Sequence, residues 1–520
     1  MELTRRDLMK AGLFGSAALM LPIERIARTK LAVANRIPQS ALPAPFGVDL
    51  PLPSVILAQA DQTIDLTQEQ VTARILPGLD TAVWGYGGQV PGPTIEVFPD
   101  PRTGVRPAVT VVQHNRLPGR HPTLGYTPWT STHLHGSASL PQYDGYASDI
   151  TNPGERKVYH YPNAQPARTL WYHDHGVHIT APNAYMGLAA FYITHDAQEL
   201  ALPIPHGPYD VPLVIKDALF ERSGALIFDD QGESGLFGDV ILVNGLPWPR
   251  MEVEPRKYRF RLLNASISRS YDLALSTSDP FTVIGNDGGL MPEPQVVESF
   301  RHGMAERYEV VIDFANLKGK RVILENRSLP NNVDFETTGV VMAFDVLQDV
   351  TSSAGNEVPA ELNPENEVMQ LQESQARTTR LMDFKRRGGE WTVNGLTWED
   401  VIDSGFTDVV ANPALDAVEI WELRNKSGGW FHPVHIHLVD FKILDRNGQP
   451  PHPYERGPKD TVYVGESESV RVLVKFGPNE GRYMMHCHNL VHEDHDMMVQ
   501  FRVGGDGPDP ITADPAVPDV

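Results

Sequence analysis

Hydrophobic residues along this chain recur mostly at every second position. Three stretches show the pattern well: "RKYRFRLL" at 256–263, "ERYEVVIDF" at 306–314 and "ESVRVLVKF" at 468–476. Such alternation is typical of antiparallel strands with one buried face, whereas helices place apolar residues three or four positions apart. Glycine (43 residues) and proline (44 residues) are abundant, as expected for many short strands joined by turns. The chain is therefore predicted to be all-β, built of sandwiches or barrels.

The 520 residues suggest roughly three domains of about 150 residues each. Two polar, proline-containing stretches, 195–210 and 351–367, are predicted to be linkers. The expected units are 35–200, 211–350 and 368–503, and a weak repeat ("VNGLPWP" and "VNGLTWED") lies near the start of the second and third. Residues 504–520 are rich in Pro and Asp and are predicted to be disordered.

The N-terminal segment 1–34 resembles a twin-arginine export signal. Arg5 and Arg6 precede a short apolar run at 11–21, which is too short to span a bilayer comfortably. We therefore expect export by the twin-arginine machinery to the periplasm, cell envelope or exterior, with an ordinary secretory signal as the alternative. The net charge of −22 argues against binding nucleic acids or anionic membranes. We expect a monomer with no stable membrane anchor.

Histidines are concentrated in a few short motifs. "HLHG", "WYHDH", "HPVHIH" and "HCHNLVHEDHDMM" hold eleven of the nineteen histidines, eight of them in four His-x-His pairs; one of the eleven, His495, is expected to face solvent or to lie behind the ligands. On a strand, residues i and i+2 face the same way, so each pair presents two imidazoles side by side. The clustered residues are His133, His135, His173, His175, His432, His435, His437, His486, His488 and His492. Four such pairs predict metal binding rather than satisfied core histidines.

The donor types favour copper. A structural zinc site needs four ligands, and calcium and magnesium prefer oxygen ligands. Two histidines, one cysteine and a weak axial methionine form the ligand set of a blue-copper centre. Cys487 is the only cysteine, so it forms no intrachain disulfide. It stands between His486 and His488, so on a strand it faces away from both, and it is predicted to serve a different metal and to act as an electron bridge.

The four motifs resemble the copper-binding motifs of the three-domain multicopper oxidases, and they occur in the same order. "GGQVPGPTIEV" (87–97) and "EVEPRKYRFRLLNAS" (252–266) extend the resemblance, which covers about 85–503. The third-domain motifs are most similar to those of bilirubin oxidases and bacterial spore-coat-type laccases. The resemblance implies three consecutive cupredoxin-like Greek-key domains. It also implies oxidation of small aromatic donors such as phenols, aminophenols or bilirubin-like tetrapyrroles, with reduction of O2 to water.

Carried over residue by residue, the resemblance implies four copper ions per chain. The type 1 ligands would be His432, Cys487, His492 and axial Met497; the type 2 ligands His133 and His435; the type 3 ligands His135, His173, His175, His437, His486 and His488. The three-copper cluster would then lie between the first and third domains. The second domain carries no motif and is expected to be a spacer or to contribute to the substrate rim.

Other residues have expected roles beside the copper ligands. Asp144 and Glu493 match acids that supply protons in spore-coat-type laccases, although each could be a loop carboxylate in an ordinary hydrogen bond. Asp174 is expected to face away from the cluster and orient its strand, or else to be solvated. Trp430 and Phe431 are expected to shape the approach to the type 1 site. Trp430 matches a tryptophan position in bilirubin oxidases, and packing under the loop is the alternative.

Two other functions are compatible with an exported copper-binding protein. A copper-homeostasis protein that oxidises Cu(I) or another metal ion is disfavoured, because the 14 methionines form no methionine-rich cluster. An exported scaffold protein is disfavoured by the complete ligand set. A comparison of phenolic donors with Cu(I) as reductants would separate the first two functions.

Overall fold

The computed structural model describes residues 34–60, 62–505 and 507–519. The predicted export signal therefore lies outside the described residues, apart from its last position. Within these ranges, no helix has the length and apolar character needed to cross a bilayer. The described chain is built mainly of strands, which confirms the all-β prediction.

The first domain consists of two packed sheets. Its strands are β1 (Val55–Ala58), β2 (Thr63–Ala73), β3 (Thr81–Tyr86), β4 (Thr94–Val97), β5 (Val109–Asn115), β6 (Thr132–His135), β7 (Glu155–Tyr161), β8 (Arg168–Asp174) and β9 (Ala189–Thr194). One sheet has the order β1-β4-β9-β8-β6, and the other contains β3-β2-β5-β7. Two of the His-x-His pairs lie at the β6/β8 edge of the first sheet.

The second domain is also a two-sheet sandwich. Its strands are β10 (Asp210–Ala218), β11 (Val240–Val243), β12 (Leu246–Pro247), β13 (Arg250–Val253), β14 (Lys257–Asn264), β15 (Tyr271–Leu275), β16 (Phe281–Asn286), β17 (Gly289–Val297), β18 (Ser299–His302), β19 (Arg307–Asp313), β20 (Arg321–Arg327) and β21 (Val340–Val346). The sheet orders are β12-β11-β10-β14-β19-β16-β17 and β13-β21-β20-β15-β18.

The apolar face of β14 lies in the core as predicted, but its other face is buried too. Tyr258, Phe260 and Leu262 are core residues, whereas Arg259 and Arg261 are each 1% exposed. These arginines form ion pairs with carboxylates of β19 and of the segment 195–210. The sequence pattern predicted one solvent-facing side, and the structure instead shows an interdomain contact made of paired charges.

The third domain again has two sheets. Its strands are β22 (Thr378–Arg387), β23 (Glu390–Val393), β24 (Val418–Asn425), β25 (His432–Ile436), β26 (Phe441–Arg446), β27 (Thr461–Val464), β28 (Ser469–Lys475), β29 (Gly481–Cys487) and β30 (Met498–Val503). The sheet orders are β23-β22-β24-β28-β26 and β27-β25-β29-β30. The central strands β25 and β29 of the second sheet carry His435 and His486, and the second histidine of each pair, His437 or His488, follows directly after the strand.

Helices in the described chain are short. They are α1 (Thr180–Met186), α2 (Ala197–Ala201), α3 (Glu367–Gln370), α4 (Trp398–Asp403) and α5 (Leu490–Asp494), with 3-10 turns at Gln39–Ala41, Pro141–Tyr143, Gly207–Tyr209, Glu373–Gln375 and Pro453–Glu455. Helix α5 follows β29 directly, and Asn489 caps it by accepting a hydrogen bond from the Val491 amide. This single turn brings the chain back toward the end of β29.

Both ends of the described chain differ from the predicted domain limits. Residues 35–50 were assigned to the first domain, yet they run along the second. The Ile37 amide donates to the Phe220 carbonyl at 2.9 Å, and the Phe46 amide donates to the Trp248 carbonyl at 2.8 Å. The first domain therefore begins its own sheets only at β1.

The prediction of disorder for 504–520 is wrong for the residues described there. Strand β31 (Val517–Pro518) pairs antiparallel with β7 and extends the second sheet of the first domain. The Asp519 carboxylate lies 2.8 Å from His114 Nδ1 and 3.1 Å from Arg116 Nε, and Ile511 is buried. Acidic residues in the tail thus find basic partners on the first domain, which composition alone does not reveal.

Candidate metal centre

The eight histidines of the four His-x-His pairs meet where the first and third domains touch; they are called the histidine cluster here. Each is at most 1% exposed. The rings of His135 and His435 are 3.7 Å apart between centroids, and those of His133 and His437 are 4.0 Å apart. Each close pair joins a strand of the first domain to a strand of the third, so the cluster exists only while the two domains are in contact.

Strand register explains why the rings converge. His133 on β6 lies opposite His173 on β8, and His435 on β25 lies opposite His486 on β29. Residues directly opposite on antiparallel strands have adjacent side chains on the same face. Each domain therefore presents its histidines as one patch, and the two patches face each other.

Cys487 faces the other way, as the period-two argument predicted. Its Sγ lies 3.2 Å from His432 Nδ1 and 3.6 Å from His492 Nδ1. These three residues are called the cysteine site. His432 and His435 are an odd number of positions apart on β25, so they too face opposite sides of the strand. Met497 is fully buried in the same apolar cluster as Cys487, and its carbonyl accepts a hydrogen bond from the Cys487 amide at 3.1 Å.

At the cysteine site, hydrogen bonds hold Nε2 of each histidine ring and leave Nδ1 facing the thiol. His432 Nε2 lies 2.7 Å from Ser427 Oγ, and His492 Nε2 lies 3.1 Å from the Ser234 carbonyl. Both rings therefore turn Nδ1 toward the thiol. Anchoring one ring nitrogen while the other points at a common centre is how proteins prepare imidazole for a metal.

The histidine cluster follows the same rule. Nδ1 of His133, His173 and His435 binds the main-chain carbonyls of Asp144, Asp174 and Asp460, respectively. The Nε2 atoms of these three rings, Nδ1 of His135 and both nitrogens of His488 are buried without a hydrogen-bond partner. Buried polar atoms without partners are costly, so this many in one place fits metal ligands.

The ring nitrogens lie close enough to share ions. Nε2 of His486 is 3.2 Å from Nε2 of His175 and 3.1 Å from Nε2 of His437. Groups whose donor atoms all lie within 4.8 Å include His175 with His437 and His486, His133 with His135 and His173, and His133 with His435 and His437. These groups overlap at His133 and His437, so the donors form one compact cluster.

Burial sets the protonation of these ligands. It lowers the pKa of His173 to about 3 and that of His175 to about 4, with neighbouring histidines adding to the effect. The rings are therefore neutral near pH 7, which is the form that binds metals. Burial also raises the pKa of the Cys487 thiol, whereas a bound cation favours the thiolate.

Asp144 and Glu493 both touch the histidine cluster. Asp144 Oδ2 lies 2.8 Å from His437 Nδ1. Glu493 Oε2 lies 2.8 Å from His486 Nδ1, and its Oε1 lies 3.4 Å from His175 Nδ1. Burial raises the pKa of Asp144; burial acts in the same direction on Glu493, but His486 and His175 outweigh it and lower that pKa to about 2. The pKa values of the two acids are thus shifted in opposite directions.

Asp174 faces away from the cluster, in agreement with the first of the two positions expected for it. Its carboxylate accepts hydrogen bonds from the Ser131 amide at 2.8 Å, the Gly176 amide at 3.1 Å and Asn183 Nδ2 at 2.9 Å. These bonds tie the end of β8 to the start of β6 and to α1. Asp174 therefore orients the strands that carry the first-domain histidines.

The two rim residues have different positions. Trp430 is partly exposed, and its ring lies 5.5 Å from that of His492. Phe431 was expected on the rim, but it is only 3% exposed and stacks on Tyr463 at 4.8 Å. Neighbouring residues of an extended chain point in opposite directions, so only Trp430 can reach the approach to His492.

Several contributors were not predicted. Trp391 stacks on His492 with centroids 3.8 Å apart, and the second-domain loop 229–236 supplies the Ser234 carbonyl that binds His492. Asp460 contacts both His135 and His435. None of these has a local sequence signal, because each acts through a fold contact or a main-chain atom. The second domain does more than separate its neighbours.

Comparisons with known proteins agree with this geometry. Sequence models described as multicopper oxidase match residues 67–199 and 363–506. The chain is 41% identical over 484 residues to a bilirubin oxidase of Albifimbria verrucaria, covering 88% of this chain and 81% of that protein. It is 36% identical over 487 residues to a laccase of Bacillus subtilis, covering 84% and 93%.

Solved structures show the same architecture. The crystal structure of a variant of the multicopper oxidase McoA from Aquifex aeolicus superposes with a TM-score of 0.79 at 30% sequence identity. The match covers 88% of this chain and 100% of that one. The multicopper oxidase from Pediococcus acidilactici superposes with a TM-score of 0.75 at 28% identity, covering 90% and 93%.

Proposed function

The chain belongs to the multicopper oxidase family, and we propose that it oxidises small aromatic donors at the cysteine site and reduces O2 at the histidine cluster. Copper is the cofactor of this family, and oxygen is the electron acceptor. One observation carries the proposal: Cys487 touches one pair of histidines, while its two neighbours in sequence belong to a separate, larger histidine cluster.

We assign four copper ions to these residues. The type 1 ion would be held by His432, Cys487 and His492, with Met497 as a further ligand; the type 2 ion would be held by His133 and His435, and the type 3 pair by His135, His173, His175, His437, His486 and His488. The support is the pattern of anchored and unpartnered ring nitrogens. The neutral imidazoles and the single buried cysteine match the donor preferences of copper.

Bound at these positions, copper supplies one-electron oxidation at the cysteine site and O2 reduction at the histidine cluster. The chain connects the two sites, because Cys487 is bonded through the main chain to His486 and His488. Four electrons from four donor molecules, with four protons, convert one O2 into two water molecules. His437 Nδ1 and His486 Nδ1 each face a carboxylate, so Asp144 and Glu493 can pass protons toward the cluster.

We propose phenols, aminophenols and bilirubin-like tetrapyrroles as donors. The relatives named above are a bilirubin oxidase and a laccase. The partly exposed Trp430 beside His492 provides an aromatic surface on which a flat donor can stack. Trp391 lies beneath His492 and is fully buried, so it supports the ring rather than the donor.

O2 consumption with different reductants tests this function. The copper-loaded protein is assayed with a phenol, with bilirubin and with Cu(I) in parallel, and bound copper is counted per chain. We expect about four copper ions and much faster turnover with an aromatic donor than with Cu(I). Turnover with Cu(I) alone would contradict the proposal and favour a role in copper homeostasis.

Met497→Leu is expected to raise the reduction potential of the type 1 ion while the protein stays blue. The thioether is a weak ligand that favours the oxidised ion, so its removal favours the reduced one. Redox titration of the blue band measures the change. Met498→Leu is the matched control, because Met498 lies on the other side of β30, against Trp398. A shift in the control and not in Met497→Leu would reassign the axial ligand.

We also propose export by the twin-arginine route to the periplasm, cell envelope or exterior. Arg5 and Arg6 before a short apolar run support this. Replacing both with lysine is expected to leave the protein in the cytoplasm with its copper sites intact, as measured by cell fractionation and blue absorption. Unchanged export would favour an ordinary secretory signal.

A further inference from the structure

We propose that Arg307 of the second domain is a positioning residue for the histidine cluster, acting through Asp460. The inference rests on the proposed function, since it takes the cluster to be the copper site. No predicted ligand lies in the second domain. The second domain would therefore affect the cluster by holding residues of the first and third domains in position.

The Arg307 side chain joins all three domains. It extends from β19 of the second domain and is fully buried. Its two terminal nitrogens donate to the two carboxylate oxygens of Asp460 in the third domain, at 2.8 and 2.5 Å. Its Nε donates to the main-chain carbonyl of Thr169 in the first domain at 3.0 Å. This fork-shaped contact fixes both the distance and the orientation of the carboxylate.

Asp460 in turn orients a histidine from each side of the cluster. Its Oδ1 accepts a hydrogen bond from His135 Nε2 at 3.0 Å, which turns Nδ1 of that ring toward the cluster. Its main-chain carbonyl accepts a hydrogen bond from His435 Nδ1 at 2.9 Å, which turns Nε2 of that ring inward. Both inward nitrogens are buried without a partner. Displacing Asp460 would therefore rotate a proposed type 3 ligand and a proposed type 2 ligand together.

A second residue of the second domain clamps the same segment. Asp287 Oδ1 accepts a hydrogen bond from the Arg307 amide at 2.6 Å. Its Oδ2 accepts from the amides of Asp460 and Thr461 at 3.2 Å each and lies 3.0 Å from Lys459 Nζ. Asp287 thus holds the main chain of 459–461 while Arg307 holds the side chain of Asp460.

The chemistry of this contact favours positioning over simple stabilisation. Burying ion pairs carries a desolvation penalty that often cancels their attraction, so such a pair is weak support for stability. Hydrogen-bond partners of metal-binding histidines, by contrast, fix the ring orientation and tune the metal. A fully buried arginine that binds the partner of two such histidines fits the second role.

Three variants test the inference in the full-length protein. Arg307→Met removes the fork, and Arg307→Lys keeps the charge but loses the two-point contact. Arg259→Met is the matched control: Arg259 is equally buried on the adjacent strand β14 and pairs with Glu199 and Glu309, with no contact to the cluster or to Asp460. Each apoprotein is titrated with copper, and the blue band, the type 2 electron paramagnetic resonance signal and the copper content are recorded.

We expect Arg307→Met to weaken copper binding at the cluster about 10- to 100-fold while the blue band fills normally, since partners of metal ligands have effects of that size. The copper affinity of the cluster in Arg307→Lys should lie between those of Arg307→Met and the wild type. In Arg259→Met the cluster should bind copper as in the wild type. Asp460→Asn keeps its main-chain bond to His435, so it should disturb the type 3 pair more than the type 2 signal.

Two results would overturn the inference. Normal cluster filling in Arg307→Met would show that Asp460 holds its position unaided. Equal loss of the blue band and of the cluster signals would show general destabilisation instead. Failure of the proposed function looks different, because the wild-type protein itself would then lack the blue band or the type 2 signal.

Discussion

Cys487→Ser is expected to abolish both the blue colour and the oxidase activity while leaving the fold intact. The colour arises from charge transfer between a thiolate and copper, and a hydroxyl does not replace the thiolate as a ligand. The same change removes the proposed bridge between donor oxidation and O2 reduction. Visible absorption and O2 consumption measure the two losses, and circular dichroism checks the fold.

Met484→Leu serves as the control for Cys487→Ser. Met484 lies on the same strand and is fully buried, but it packs against Ala147 of the first domain and Trp398 of helix α4. It should therefore report general damage to β29 without altering the cysteine site. Normal turnover of phenolic donors by Cys487→Ser would refute the whole arrangement of sites.

Glu493→Gln and Asp144→Asn are expected to slow O2 reduction strongly without emptying the copper sites. The amides keep the shape and much of the hydrogen bonding but cannot transfer a proton. General acid–base catalysis typically contributes about 10²- to 10⁴-fold, and we expect losses of about tenfold or more for each change. Burial raises the pKa of Asp144, whereas contacts with His486 and His175 lower the pKa of Glu493 to about 2, so Glu493 is ionised near pH 7 and can accept a proton.

Stopped-flow measurement separates the proton step from donor oxidation. Bleaching of the blue band by a donor should be unchanged in both variants, because it occurs on the other side of Cys487. Asp217→Asn is the comparison variant, since Asp217 is as buried as Asp144 but pairs with Arg269 in the second domain. If bleaching slows as much as overall turnover, the two acids act on the donor site or on folding rather than on protons.

Local periodicity explains what could be predicted of the fold and the site. Alternation predicted β14, β19 and β28. The same period of two predicted that Cys487 faces the other side of its strand from His486 and His488. Both depend only on neighbouring residues of an extended chain. The His-x-His motifs are likewise local, so they can be recognised from the sequence alone.

Features that depend on distant contacts were missed or wrong. Alternation predicts that Arg259 faces solvent, whereas in the structure carboxylates of other segments pair with it and bury it. Its position next to Trp430 predicted that Phe431 lies on the rim, whereas in the structure it is buried against Tyr463. Asp460 lies 25 positions from His435, with no motif linking them. Residue type and spacing carry no information about such partners.

The pairing of β31 with β7 also affects how long metal is retained. The third domain holds half of the cluster, and its C-terminal extension returns to the first domain, which holds the other half. The first and third domains are thereby joined twice, by the chain through the second domain and by the C-terminal segment. A momentary separation of the two domains leaves their histidines tethered, so the local concentration of each half near the other stays high. Rebinding should then compete with escape, and detachment of the tail is expected to speed the loss of metal.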